Sequence, residues 1–167
     1  MTLELYCDGG VCGPNPSLIG GTWAWVMVGN DKVLNEDSGF IEPDDLGVEK
    51  ITNNLSELYA ALRGIEALPE GFDGKVWTDS IITLYRLTDS LAFKGVPDWL
   101  MERVKLARKN RKWCYECVLV GGHPTKRELA QGCRDDGRVV SKWNVWCDTK
   151  CKEISKKWSS VSLGDQV

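Results

Sequence analysis

No apolar run in these 167 residues approaches the ~20 that a membrane-spanning helix needs. Met1 leads straight into alternating residues, without the basic start, apolar stretch and small-residue cleavage site of a signal peptide. These two absences predict a cytoplasmic chain with no membrane partner. Internal repeats, low-complexity tracts and a linker between apolar blocks are missing as well. One domain is therefore expected over residues 1–158, followed by a flexible tail over 159–167, with the chain acting as a monomer. A domain of this size buries roughly two thirds of its unfolded surface. Histidine is down to one residue, His123, and cysteine comes to seven, an odd number. An odd count without a secretion signal argues for reduced thiols rather than a disulfide framework. Cys114-x2-Cys117 opens an apparent strand, where an i,i+3 pair points to opposite faces. Cys147-x3-Cys151 lies one helical turn apart on an apolar stripe, so neither pair reads as a zinc clasp.

The net charge of −3 conceals two unlike halves. Residues 1–93 carry 5 Lys/Arg against 15 Asp/Glu, and residues 94–158 carry 16 against 8. Such a chain can set a carboxylate cluster beside a phosphate-binding surface, although two solvated faces would give the same tally.

Leu3, Leu5 and Cys7 alternate with Thr2, Glu4, Tyr6 and Asp8, the period-2 pattern of a strand that ends at Asp8 before Gly9-Gly10. A loop rich in Gly, Pro and Asn follows to Gly20. Thr22 to Val28 is apolar on both sides and reads as a central strand. Gly29-Asn30-Asp31 is a hairpin turn leading to a more polar strand within Lys32–Ile41. Glu42 to Lys50 reads as an acidic loop. Thr52-Asn53-Asn54 caps a helix carrying Leu55, Leu58, Tyr59, Leu62 and Ile65 at helical spacing, with Glu57 at the edge of that stripe.

Lys75 to Ser80 is a short strand ending in Asp79. Ser80 to Ala92 reads as a helix with Ile81, Leu84, Tyr85 and Leu91 inward. Pro97 opens another helix with Leu100, Val104 and Ala107 buried and a basic exit from Lys105 to Lys112. Tyr115 to Val120 is an apolar strand leading into Gly121-Gly122-His123. After a polar stretch, Cys147, Cys151, Ile154 and Trp158 mark a last helix with Asp148 in its first turn. The order β-β-β-α-β-α-α-β-α, with two βα crossovers, implies an α/β domain whose mixed sheet has helices on its faces.

Four carboxylates stand out. Asp8 and Asp79 each end a strand, Glu57 lies on the first long helix, and Asp148 opens the last. Two acidic strand ends in one parallel region meet at the sheet edge where α/β sites form. Carboxylates that close repel unless a hard divalent cation neutralises them. The implied chemistry is Mg²⁺-assisted phosphoryl transfer with two ions roughly 4 Å apart.

Five segments, in order, resemble the type 1 ribonuclease H family: Tyr6-Cys7-Asp8-Gly9-Gly10, Thr52-Asn53-Asn54-Leu55-Ser56-Glu57-Leu58, Trp77-Thr78-Asp79-Ser80, Val120-Gly121-Gly122-His123 and Asn144-Val145-Trp146-Cys147-Asp148. The resemblance spans about residues 2 to 155. It implies an RNase H-like, five-stranded mixed sheet, with the first three strands antiparallel and the others parallel, and helices on both faces. It also implies an endonuclease cleaving the RNA strand of RNA·DNA hybrids and leaving 5′-phosphate and 3′-hydroxyl ends. Asp8, Glu57, Asp79 and Asp148 would bind two Mg²⁺ ions, with Mn²⁺ as an alternative. His123 matches the mobile loop histidine that assists proton transfer or product departure. Gly9, Gly10, Cys12, Asn15, Thr52, Asn53, Asn54 and Ser80 would contact the hybrid.

Three departures from the family pattern are visible. The 25 positions between His123 and Asp148 exceed the usual connection, so residues 124–142 read as an inserted loop. Its Lys126, Arg127, Arg134, Arg138 and Lys142 are candidates to grip substrate, the alternative being a loop that is merely tolerated. Ile81 stands where many members carry a polar residue, and a basic Trp-rich protrusion is missing, its place partly taken by Lys105–Lys112. Two other functions remain open on the residues alone. A related DNA nuclease (a junction resolvase or an exonuclease) is one, although the exonuclease signature wants Asp-x-Glu in the first strand. A non-catalytic hybrid-binding module is the other, and it predicts a missing carboxylate where none is missing.

Overall fold

The computed structural model describes residues 2–88, 93–110 and 112–164, the last five of these by backbone alone. Five strands form one sheet: β1 (Leu3–Val11), β2 (Gly21–Gly29), β3 (Lys32–Ile41), β4 (Lys75–Thr78) and β5 (Glu116–Leu119), in the order β3-β2-β1-β4-β5. β1, β2 and β3 pair antiparallel, and β4 and β5 add parallel to β1. Asn30 and Asp31, both in the left-handed region, close the β2–β3 hairpin. β2 is buried along its whole length, and β3 exposes its first six residues as the polar edge.

The helices divide between the two faces. α2 (Asn53–Glu66), α3 (Ile81–Thr88) and α4 (Asp98–Lys109) cover one side, where Leu5, Cys7, Trp23 and Trp25 pack against Leu58, Leu62, Ile65, Leu100 and Val104. Each such fully buried aliphatic contributes about 1.5–3 kcal/mol relative to exposure. On the other side α6 (Lys142–Gly164) lays Cys147 and Cys151 over Tyr6, Ala24, Val26 and Trp77. All seven thiols are free. Among the described residues no helix is long and apolar enough to cross a membrane.

Several boundaries differ from the sequence expectation. β1 continues past Asp8 to Val11, because its antiparallel ladder with β2 runs on through Asp8–Ala24, Gly9–Trp23 and Gly10–Thr22. The acidic loop holds a one-turn helix, α1 (Pro43–Leu46), whose capping box joins Glu42 and Asp45. α3 buries Thr83, Arg86 and Leu87 while Ile81 and Tyr85 are half exposed. Apolar residues occupy too many of its positions to define one stripe, and the Ser80 hydroxyl, accepting from the Thr83 amide, fixes the phase. The predicted remainder of that helix, with Leu91, lies outside the described residues, as do Arg111 and residues 165–167. α6 begins at Lys142, which puts Asp148 in its second turn, and it continues through Gly164, beyond the expected fraying at Ser159. The 124–142 stretch contains a further short helix, α5 (Lys126–Gln131), and a bridge between Cys133 and Val139.

Candidate active site

The parallel register of β1 and β4 pairs Tyr6 with Trp77. Two residues further along each chain, and therefore on the same face, come Asp8 and Asp79. The Tyr6 and Trp77 rings, both buried, stack with their centroids 5.7 Å apart on that face. Glu57 arrives from the opposite face on α2, which crosses the sheet at Gly9. A Cβ on Gly9 would lie 2.5 Å from the Ser56 carbonyl carbon and 2.6 Å from the Glu57 nitrogen. Only glycine lets the helix come this near. One carboxylate oxygen from each of Asp8, Glu57 and Asp79 then lies within 4.8 Å of the others.

The trio is electrostatically strained. Burial, then the charges of Asp79, Glu57 and Asp148, push the Asp8 carboxyl well above its ordinary range against one opposing hydrogen bond from the Gly9 amide (2.9 Å). Glu57 is raised from 4.5 to about 7 by burial and by Asp79, and the Ser80 hydroxyl partly relieves it. Asp79 is raised by burial, while His123 and a hydrogen bond from Asn144 oppose the rise. Three oxygen donors carrying surplus negative charge suit a hard divalent cation, whose charge would reverse all of these shifts.

Asp148 stands apart from the trio. Its Oδ2 accepts from Lys152 Nζ at 2.9 Å and lies 3.8 Å from His123 Nδ1. His123 is exposed, with φ of 48°, and shares a cavity of about 270 Å³ with Pro124, Asn144, Asp148 and Lys152. Sequence reasoning singled out neither Asn144 nor Lys152 as a site residue. Asn144 is 1% exposed, hydrogen-bonds Asp79, and leaves its own Oδ1 without a partner. Its signal was its spacing, one helical turn before Asp148 and so on the same face of α6.

The residues expected to contact substrate fall into groups. Asn15 Oδ1 accepts from the Asn53 amide at 3.1 Å, and Thr52 caps α2 by accepting from Leu55. Thr52, Asn53 and Asn15 are exposed and Asn54 is half-buried, so this corner is open to a ligand. Gly10 lies beside Thr22 in the ladder. Cys12 is fully buried and Ser80 nearly so, the latter occupied by Glu57 and Thr83. Among the cations of the 124–142 stretch, Lys142 pairs with Asp31 at 2.7 Å, and Arg134 hydrogen-bonds the Gly122 carbonyl. Lys105, Arg108 and Lys109 line a cavity of about 600 Å³ at the amino end of β5. The carboxylates lie beyond the carboxyl end of β4, which runs parallel to β5, so this cavity is at the other end of the sheet.

No family model matches the chain. A protein named Ribonuclease H from Campylobacter curvus is 34% identical over a 173-residue alignment covering 95% of this chain and 96% of the relative. Another of that name, from Acidithiobacillus ferrooxidans, is 31% identical over 78% of this chain and 75% of its own length. Among solved structures, RNase H1 from Halobacterium salinarum superposes with a TM-score of 0.61 at 19% identity, covering 94% of this chain and 99% of that one. LC11-RNase H1, solved in complex with an RNA/DNA hybrid, superposes at 0.60 and 19% identity, covering 93% and 98%.

Proposed function

The chain belongs to the ribonuclease H family, and from that premise we propose that Asp8, Glu57, Asp79 and Asp148 hydrolyse the RNA strand of RNA·DNA hybrids in a metal-dependent reaction. The observation that carries this reading is the meeting of three raised carboxyls within 4.8 Å on rigid backbone. Asp8, Glu57 and Asp79 would hold one Mg²⁺, and Asp148 would complete the ligands of a second, with Mn²⁺ as an alternative ion. Two such ions bound there would activate a water for in-line attack and stabilise the departing 3′-oxygen, leaving 5′-phosphate and 3′-hydroxyl ends.

The rest of the work falls to side chains in place before substrate arrives. Asn144 and Ser80 aim the Asp79 and Glu57 carboxylates by hydrogen bonds to their charged forms. His123, solvated and next to Asp148, passes a proton or eases the product out. The exposed corner of Asn15, Thr52, Asn53 and Asn54 takes the hybrid, with Gly9 and Gly10 contributing backbone alone. Recognition of 2′-hydroxyls there separates RNA from DNA. The enzyme works as a cytoplasmic monomer of one domain, in which residues 124–142 are an insertion.

The test is cleavage of an internally labelled RNA·DNA hybrid, with duplex DNA and a four-way junction as controls. Product should form from the hybrid alone and only with Mg²⁺ or Mn²⁺. Product in excess EDTA, or preferential cleavage of the junction, would refute the proposal.

A further inference from the structure

The inserted segment does not project outward; it folds back on the loop before it. Thr125 and Glu128 form a capping box that starts α5, and Gly132 ends it. The chain then turns at Arg134–Arg138, and the Val139 carbonyl accepts from the Gly121 amide at 2.8 Å. From the same turn the Arg134 guanidinium donates to the Gly122 carbonyl, with its Nε 3.5 Å from Glu128 Oε2. A Cβ on Gly121 would meet Arg134 Nε at 2.9 Å, and one on Gly122 would meet Asp79 Oδ2 at 2.7 Å. The two glycines therefore form a bare strip of backbone, with Arg134 on one side and the Asp79 carboxylate on the other. His123 follows in a left-handed conformation that L-residues keep only when their surroundings impose it.

We propose that Arg134 is a positioning residue for His123: held by Glu128, its guanidinium fork clamps the Gly121–Gly122 strip against Asp79 and so fixes where the imidazole is presented. The insertion in this chain is then a strut for the histidine loop. That assignment replaces the sequence expectation that Arg134 grips substrate. An arginine suits the task because its planar fork can serve a carbonyl and a carboxylate together, which a lysine cannot do with the same geometry. The catalytic consequence rests on the role proposed above for His123, whereas the clamp itself does not.

The chain has a single histidine, so its C2–H resonance reports on this loop alone. The experiment records that resonance in the metal-free full-length protein, for the parent, Arg134→Ala and Arg134→Lys. It then compares kcat, KM and melting temperature, with and without His123→Ala. The clamp predicts a shifted and narrowed resonance in Arg134→Ala, partly restored in Arg134→Lys, at little change in melting temperature. It also predicts kcat down roughly tenfold at unchanged KM, the low end for one charged hydrogen bond, with no further loss when Arg134→Ala is added to His123→Ala. An unmoved resonance overturns the clamp. So does a raised KM that persists in the His123→Ala background, because Arg134 would then be gripping substrate. If His123→Ala cleaves at the parental rate, the proposed role of the histidine fails, and the resonance alone decides the clamp.

Discussion

Asp8, Glu57 and Asp79 sit on backbone that the sheet and the α2 crossing hold on both sides, and Asp8 is only 6% exposed. Asp148 and His123 sit on a helix flank and a loop, the histidine is exposed, and Asp148 is paired with Lys152. Among the described residues no lysine or arginine forms an ion pair with the inner trio, on which only His123 acts to lower Asp79, whereas Asp148 has Lys152 at 2.9 Å. The inner group is thus built to need an ion before it can be comfortable. The outer group is held less firmly, since exposed ion pairs of this kind contribute about 0–1 kcal/mol.

The sharpest way to break this contrast is at its centre. Asp79→Asn or Asp8→Asn should lower kcat on a labelled hybrid by on the order of 10³-fold or more, about 4 kcal/mol in the barrier. Circular dichroism should show the fold retained, because repulsion is removed along with the charge. Gly9→Ala comes next: its methyl must displace the Ser56 backbone, so overpacking should cost roughly 1–3 kcal/mol in urea unfolding. It should also weaken metal binding by shifting Glu57. A Gly9→Ala protein of parental stability would return that glycine to a purely substrate-facing role.

At the outer pair, Asp148→Asn should cost only about tenfold in kcat, near 1.4 kcal/mol. A loss equal to that of Asp79→Asn would erase the distinction between the groups. The smallest effect concerns pH without metal. Glu57 is raised from 4.5 to about 7 in the fold, so its protonation stabilises the native state fully below 4.5, and that stability is lost as pH rises through 7. In EDTA the protein should gain about 1 kcal/mol between pH 8 and pH 6. Glu57→Gln should flatten that slope, and saturating Mg²⁺ should remove it by holding the carboxylate ionised. Thermal melts across that range check the sign.

The alternation of Leu3, Leu5 and Cys7, the double-sided apolar run of β2, the Asn30-Asp31 turn and the Thr52 cap are local patterns with local causes, and each can be read from neighbouring residues. So can the acid types at positions 8, 57, 79 and 148 and their order along the chain. What was not legible depends on residues far apart in sequence. The length of β1 came from its ladder with β2, which pairs Gly9 with Trp23 and Gly10 with Thr22. Gly9 turned out to be needed by Ser56, 47 positions later, whatever it also offers to a substrate.

By itself, then, the sequence determined the five strands, the four longer helices, their mixed α/β order and the acids available for chemistry, because strand and helix periods are set by backbone geometry within a few residues. Tertiary structure alone decided that three of the acids close on one another while Asp148 stays outside that trio. It also decided that Asn144 reaches Asp79, and that Arg134 reaches the Gly122 carbonyl. Those facts are distances across space, fixed by strand register and by where two glycines allow helix and loop to approach, and no local pattern encodes them.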